Sequence, residues 1–164
     1  MSEVRIETVV DNKPEHVYGA WTNEVMLNNW MCNTSHVDVR SNGYYSFYWQ
    51  IGHFASGLYS AVEANKRLAF SWYGKGDPGE TECDITFAAE GNGTRLTIIH
   101  RGFGEGDEWA AAQVAYRHHW EQAMTDLAYY LQTGLDRRIM MRPMLGVLPG
   151  ELDAGRKEKH GLQH

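Results

Sequence analysis

DEWAAAQVAYRHHWEQAMTDLAYYLQ, residues Asp107–Gln132, is the stretch that decides the fold. It holds no Pro and no Gly and is rich in Ala, Gln, Glu, Met and Leu, which favour helix. Tyr116, Trp120, Met124, Leu127 and Leu131 recur at steps of three or four, so they share one face. Asp107 is placed to cap the start, and Glu108 adds negative charge where the helix dipole favours it. Gly134 stands where such a helix stops. At ~1.5 Å per residue the helix is about 40 Å long and needs an equally long apolar surface to pack on.

That surface has to come from the residues before it, and there the pattern is mostly period two. Val4–Val10 reads as a strand. Pro14 suits a first helical turn. Val17, Tyr18 and Trp21 follow at helical spacing, and Thr22 or Asn23 can cap a second short helix, Glu24–Trp30. Then come six alternating segments: Ser35–Arg40, Tyr44–Ile51, Gly57–Ala64, Arg67–Tyr73, Thr81–Ala88 and Thr94–Arg101. Their expected inner faces carry Tyr45, Phe47, Trp49 and Ile51, then Leu68, Phe70 and Trp72, then Cys83, Ile85 and Phe87, and last Leu96, Ile98 and His100. Asn42-Gly43 and Asn65-Lys66 are turn signals. Strands that precede the long helix, rather than alternate with it, predict an α+β fold: one antiparallel meander wrapped around one helix.

Composition bounds the rest. The 164 residues suit one domain, and the six Trp and nine Tyr can build a large core. A net charge of −6 argues against a nucleic-acid phosphate binder and against an anionic membrane surface. No apolar run reaches the length of a membrane span. The opening residues lack the pattern of a signal peptide, and Cys32 and Cys83 form no disulfide framework, so a reduced cytoplasm is expected. After Gly134 the periodicity ends, and Pro143 and Pro149 exclude one continuous helix. The expected organisation is a domain over 1–135 and an extension over 136–164, partly ordered or disordered.

Several motifs fall in one order. They are Trp21-Thr22, Trp30, Asp38-x-Arg40-x-Asn42-Gly43-x-Tyr45-x-Phe47, Gly57, Arg67-Leu68-x-Phe70-Ser71-Trp72, Gly93-Thr94-x-Leu96-Thr97 and Trp120-x-x-x-Met124-x-x-Leu127-x-x-Tyr130-Leu131. Together they resemble the domain family named after the activator of the ninety-kilodalton heat-shock protein ATPase, within the START-like (SRPBCC) superfamily. The resemblance implies a helix-grip fold: a curved seven-stranded antiparallel sheet around a long C-terminal helix, with two short helices after the first strand. It also implies that a homodimer is to be expected. His119-Trp120 departs from the Gly-Trp common in relatives, and a larger residue there narrows any cavity it faces.

A sheet gripping a helix suggests a ligand space between the two. The expected ligand-binding residues are Trp30, Trp49, Tyr59, Trp72, His100, Phe103, Tyr116, Trp120 and Met124, and plain core packing is the competing reading for each. His100 should point inward near the mouth and is the one acid–base candidate. His118 and His119 are adjacent, about 100° apart on a helix, and the H-x-x-x-H spacing is absent, so no metal is expected. Gly102–Gly106 precedes a helix, but Asp107 replaces the third glycine of a dinucleotide loop and the acidic neighbours repel pyrophosphate. It reads instead as a hinge with Phe103 and Trp109 as a lid, or as a mobile connection with no gating role. Glu82 and Asp84 read as solvated charges and Cys83 as an inert buried thiol. The favoured function is binding of a small hydrophobic or aromatic molecule with no cofactor. The alternatives are an aromatase-, cyclase- or hydrolase-like enzyme using His100, or a co-chaperone-like interaction module.

Overall fold

The computed structural model describes residues 2–141. The chain runs β1 (Glu3–Val10), α1 (Pro14–Thr22), α2 (Glu24–Trp30), β2 (Thr34–Val37), β3 (Tyr44–Tyr48), β4 (Phe54–Glu63), β5 (Arg67–Gly74), β6 (Thr81–Glu90), β7 (Gly93–Arg101), α3 (Asp107–Thr133) and α4 (Arg137–Met140). All seven strands form one antiparallel sheet in the order β1-β7-β6-β5-β4-β3-β2. The fold is therefore α+β, as the order of strands and helix predicted.

Turn chemistry sets the register. Asn42 and Asn65 both adopt positive φ, 64° and 63°, a conformation Asn tolerates better than most residues. Between Tyr59 and Ala61 the β4–β5 register shifts, the kind of irregularity that bends a strand. Asn23 caps α2, its Oδ1 accepting from the Met26 N–H at 3.1 Å.

The alternation holds through the sheet. Tyr45, Phe47, Leu68, Phe70, Trp72, Cys83, Ile85, Phe87, Leu96, Ile98 and His100 are all buried on the face that meets α3. From α3 come Tyr116, Trp120, Ala123, Met124 and Leu127, so the helix buries the predicted stripe, with Leu131 only partly covered. That stripe also buries Asp126, whose Oδ1 accepts from Arg137 at 3.0 Å.

Some local expectations change. The helix is capped by Gly106, with φ 102°, rather than by Asp107, which is already its first helical residue. Gly134 ends it at φ 74° as expected. β3 stops at Tyr48: Trp49 pairs backbone with His53 and Gly52 in a turn, which leaves Ile51 88% exposed instead of inward. β2 ends at Val37, short of Arg40. Asp84 is not a solvated charge, because it lies between Arg67 (2.7 Å) and Arg101 (3.3 Å). Cys83 is fully buried, and burial pushes its thiol well up, as an inert role requires.

Of the C-terminal segment, α4 docks on α2. Arg138 donates to the carbonyls of Asn28 (3.0 Å) and Cys32 (2.9 Å), and Asp136 holds its guanidinium at 2.8 Å. These carbonyls lie at the C-terminal end of α2, where a cation also meets the negative end of the helix dipole. The remainder of the extension, 142–164, lies outside the described residues. Among the described residues no helix is long and apolar enough to cross a membrane.

Candidate functional site

The grip itself is full. Trp21, Tyr45, Phe47, Tyr59, Leu68 and Phe70 surround a gap too small for a water molecule. Tyr45 alone lies within 6.4 Å, ring centre to ring centre, of Phe47, Tyr59, Phe70 and Trp72, and its hydroxyl donates to the Ser71 carbonyl at 2.6 Å. The expected ligand space between sheet and helix is thus occupied by the protein's own rings. Tyr59, Trp72, Trp120 and Met124 are buried core residues.

His100 belongs to the same interior. It is 0% exposed rather than at a mouth, and both ring nitrogens are engaged. Trp120 Nε1–H donates to its Nδ1 at 3.1 Å. The ring is therefore the Nε2–H tautomer, donating to Thr81 Oγ1 at 2.7 Å, and Thr81 in turn donates to the Trp72 carbonyl at 3.2 Å. Burial, reinforced by His119, pushes its pKa down to about 3. A neutral imidazole with no free nitrogen is a brace between β6, β7 and α3, which corrects its placing as an accessible acid–base group. The partners are side chains on three elements, so the sequence pattern carried no sign of them.

Phe103 is also buried, 4.8 Å from the His100 ring. Trp109 lies over the backbones of Gly79 and Gly104, where an added Cβ would stand 3.2 Å and 2.5 Å from the indole. The pair clasps two loops together rather than covering an opening.

An opening lies beside the first half of α3. A pocket of about 660 Å³ has Glu108, Ala111, Ala112, Ala115, Tyr116 and His119 as its helical wall. These residues share a face because they step by three or four, and the three alanines leave the hollow. The opposite wall is His53, from the β3–β4 turn, and Lys75–Pro78, from the β5–β6 loop. Lys75 Nζ donates to the Gly52 carbonyl at 3.1 Å and ties those two loops. A second pocket of about 340 Å³ continues along the helix, lined by Trp30, Trp49, His118, Gln122 and Arg138 among others, and it shares Ala115 and His119 with the first. Trp30 and Trp49 reach this second pocket with their indole N–H groups donated to Ala20 O (2.9 Å) and Met31 O (2.7 Å).

A polar chain closes the floor of the larger pocket. Trp72 Nε1–H donates to Tyr116 Oη at 2.9 Å, and Tyr116 donates to Asp77 Oδ2 at 2.6 Å. The same oxygen accepts the Gly74 N–H at 2.7 Å. Only glycine fits at 74, where a Cβ would stand 2.3 Å from Tyr116 Oη and 2.8 Å from Asp77 Oδ2. Burial first, and then the Asp77 bond, push the Tyr116 pKa up, so the hydroxyl keeps its proton. The His53 ring lies 5.2 Å from that of Trp49, tilted by 45°, and burial lowers its pKa. Among the described residues no group of three or more His, Cys, Asp or Glu is arranged to hold a metal ion.

Of the nine expected ligand residues, Tyr116 lines the larger pocket and Trp30 and Trp49 the smaller, while the other six are core. Sequence reasoning missed His53, Lys75, Asp77, Pro78 and the alanine stripe. The alanine stripe had a signal, since small residues along one helix face leave a groove, whereas the loop residues follow no period that could have placed them.

The solved structures similar to this chain share its fold. DynU16, from the dynemicin biosynthetic locus, matches at 22% identity with TM-score 0.73 over 83% of this chain, which spans about half (49%) of the DynU16 chain. CalU16 from Micromonospora echinospora matches at 25% identity, TM-score 0.67, covering 84% of this chain and 79% of its own. The Aha1 dimer from Colwellia psychrerythraea matches at 18% identity, TM-score 0.70, covering 82% and 98%. No curated protein is similar enough to match. The sequence profile of the family described as Activator of Hsp90 ATPase homolog 1-like protein matches residues 11–132, the span from the end of β1 through α3, and the chain belongs to that family.

Proposed function

We propose that the chain binds a small hydrophobic or aromatic molecule in the groove along the first half of α3, without a cofactor. The observation that carries this reading is the pocket of about 660 Å³ walled by Ala111, Ala112, Ala115 and Tyr116. Its volume lies within the roughly 300–1,000 Å³ usual for small-molecule sites, and it pairs apolar walls with a few polar groups. The reading differs from the sequence expectation in place: the ligand sits at the rim of the grip, because the interior is filled. Native mass spectrometry of the purified chain tests it, together with titration of tryptophan fluorescence by 1-naphthol. One bound small molecule per chain, or saturable quenching by naphthol, is expected. Ala115→Trp, which fills the groove from an exposed helix position, should weaken naphthol binding about tenfold or more. No bound mass and no saturation up to millimolar naphthol would sink the reading.

A second reading rests on the outer face of the sheet. Tyr44 pairs across strands with Leu58, and Tyr48 with Phe54. These four side chains and Tyr73 are 42–49% exposed, forming an apolar patch on β3, β4 and β5. Patches of this kind mark interaction surfaces, and a second copy of the chain is the partner we assign to it. Sedimentation equilibrium is expected to show dimers that the double variant Tyr48→Lys/Leu58→Lys dissociates. A wild-type monomer at high concentration, or a dimer that ignores both lysines, overturns this assignment.

A further inference from the structure

His119 is the least satisfied side chain of the groove. Its Nε2 is sealed from solvent and has no hydrogen-bond partner; among the described residues only Trp21 Nε1 shares that condition. Buried polar atoms in native structures are nearly always paired, so an orphan points to an alternative arrangement or to a missing partner. Around it stand four aromatic rings, with centres at 5.0 Å (Trp120), 5.9 Å (Trp49), 6.2 Å (Tyr116) and 6.3 Å (Trp72). Interplanar angles of 55–85° present edges and faces to the imidazole on several sides. That is how a cage receives a flat ring.

The imidazole is also a partition. The two pockets beside α3 have only Ala115 and His119 in common. Ala115 is one turn before His119, and helical side chains lean toward the preceding turn. The open volumes on either side of the His119 ring, about 660 Å³ and about 340 Å³, are the space that an imidazole turned out of the cage would enter.

Resting on the binding function proposed above, we propose that the cage of Trp49, Trp72, Tyr116 and Trp120 is the subsite for an uncharged planar aromatic group. That group replaces the His119 imidazole as His119 swings outward. The polar atoms of the cage select against charge: Trp72 Nε1 and Tyr116 Oη already serve each other and Asp77, and Trp120 Nε1 serves His100. A ligand ring entering there needs no ion pair, only the surface that the imidazole gives up. Burial already holds His119 neutral, with its pKa down at about 4, so the exchange at neutral pH moves no charge.

Two substitutions at one position separate a displaceable plug from a plain wall. His119→Ala empties the cage and should bind 1-naphthol about tenfold or more tightly than the wild type. His119→Phe fills it with a ring that gains nothing from solvent and should bind about tenfold or more weakly. In the wild-type protein, NMR of the His119 ring should show its ring-current-shifted protons moving toward solvent values as naphthol saturates. This readout stands even where a variant fails to fold. Naphthol binding in the wild type with no gain in His119→Ala, or with an unmoved His119 ring, overturns the subsite while leaving the groove reading intact. No binding by wild type and His119→Ala alike removes both.

Discussion

Trp120→Ala is expected to destabilise the protein by about 4–8 kcal/mol. Truncating a fully buried tryptophan costs roughly 3–5 kcal/mol through lost contacts and the cavity left behind. Here the indole touches Trp21, Trp72 and His119 at ring distances of 6.1, 5.4 and 5.0 Å, on elements that cannot all collapse into the hole. The second part is polar. Losing Nε1 orphans His100 Nδ1 in the core, at a further ~1–3 kcal/mol. Against a typical total stability of about 5–15 kcal/mol, the variant sits at the edge of folding. Trp120→Phe keeps most of the volume and isolates the hydrogen bond, so it should cost about 1–3 kcal/mol. Urea unfolding followed by circular dichroism measures both. A Trp120→Phe variant as stable as the wild type would show that Nδ1 of His100 finds another partner and that the brace described above is not needed.

Acid should unfold this protein early, with His100 as one named cause. Its folded pKa lies near 3 against an ordinary 6.5. Between those values the unfolded chain binds a proton that the folded chain refuses, so stability is full above pH 6.5 and falls as pH drops toward 3. The slope is about 1.4 kcal/mol per pH unit for a single such group, or about 3 kcal/mol between pH 6.5 and 4.5. His119, lowered to about 4, adds a loss of the same sign over the narrower window from 6.5 to 4. Urea midpoints from pH 7 to 4.5 should therefore decline steeply in the wild type. In His100→Gln, which can still accept from Trp120 and donate to Thr81, the decline should be shallower by about one proton's slope. Parallel curves for the two proteins would show that the His100 environment does not exclude the charged form.

The candidate site was legible only in outline. Its helical half follows from arithmetic along the chain: Tyr116 and His119 lie a turn or less from the alanines at 112 and 115, so any opening beside that stretch of α3 includes them. Its other half was not. His53 and Asp77 sit in turns, where side-chain direction follows no period. They face α3 only because β4 and β5 pair with Ala55 opposite Gly74, which brings the two loops side by side. Asp77 meets Tyr116 because residue 74 is a glycine, a condition set by the folded neighbours of that backbone and not by any local propensity.

By itself the sequence determined the class of fold and most inward faces of its strands, though not where β2 and β3 end or that Ile51 turns outward. Alternation and helical spacing are properties of neighbouring residues, and they survive without knowledge of distant contacts. It also determined where the long helix stops and that Asn42-Gly43 and Asn65-Lys66 are turns, while the left-handed conformation of both Asn residues came from the structure. Only the tertiary structure decided whether the aromatic side chains enclose a cavity or fill it. That outcome depends on how Tyr45, Phe47, Tyr59, Phe70 and Trp72 share volume with Trp21 and Trp120, a sum over residues far apart in the chain. The rings fill the space, so the ligand site proposed here moves outward to the alanine stripe of α3, where small side chains leave the room that the core does not.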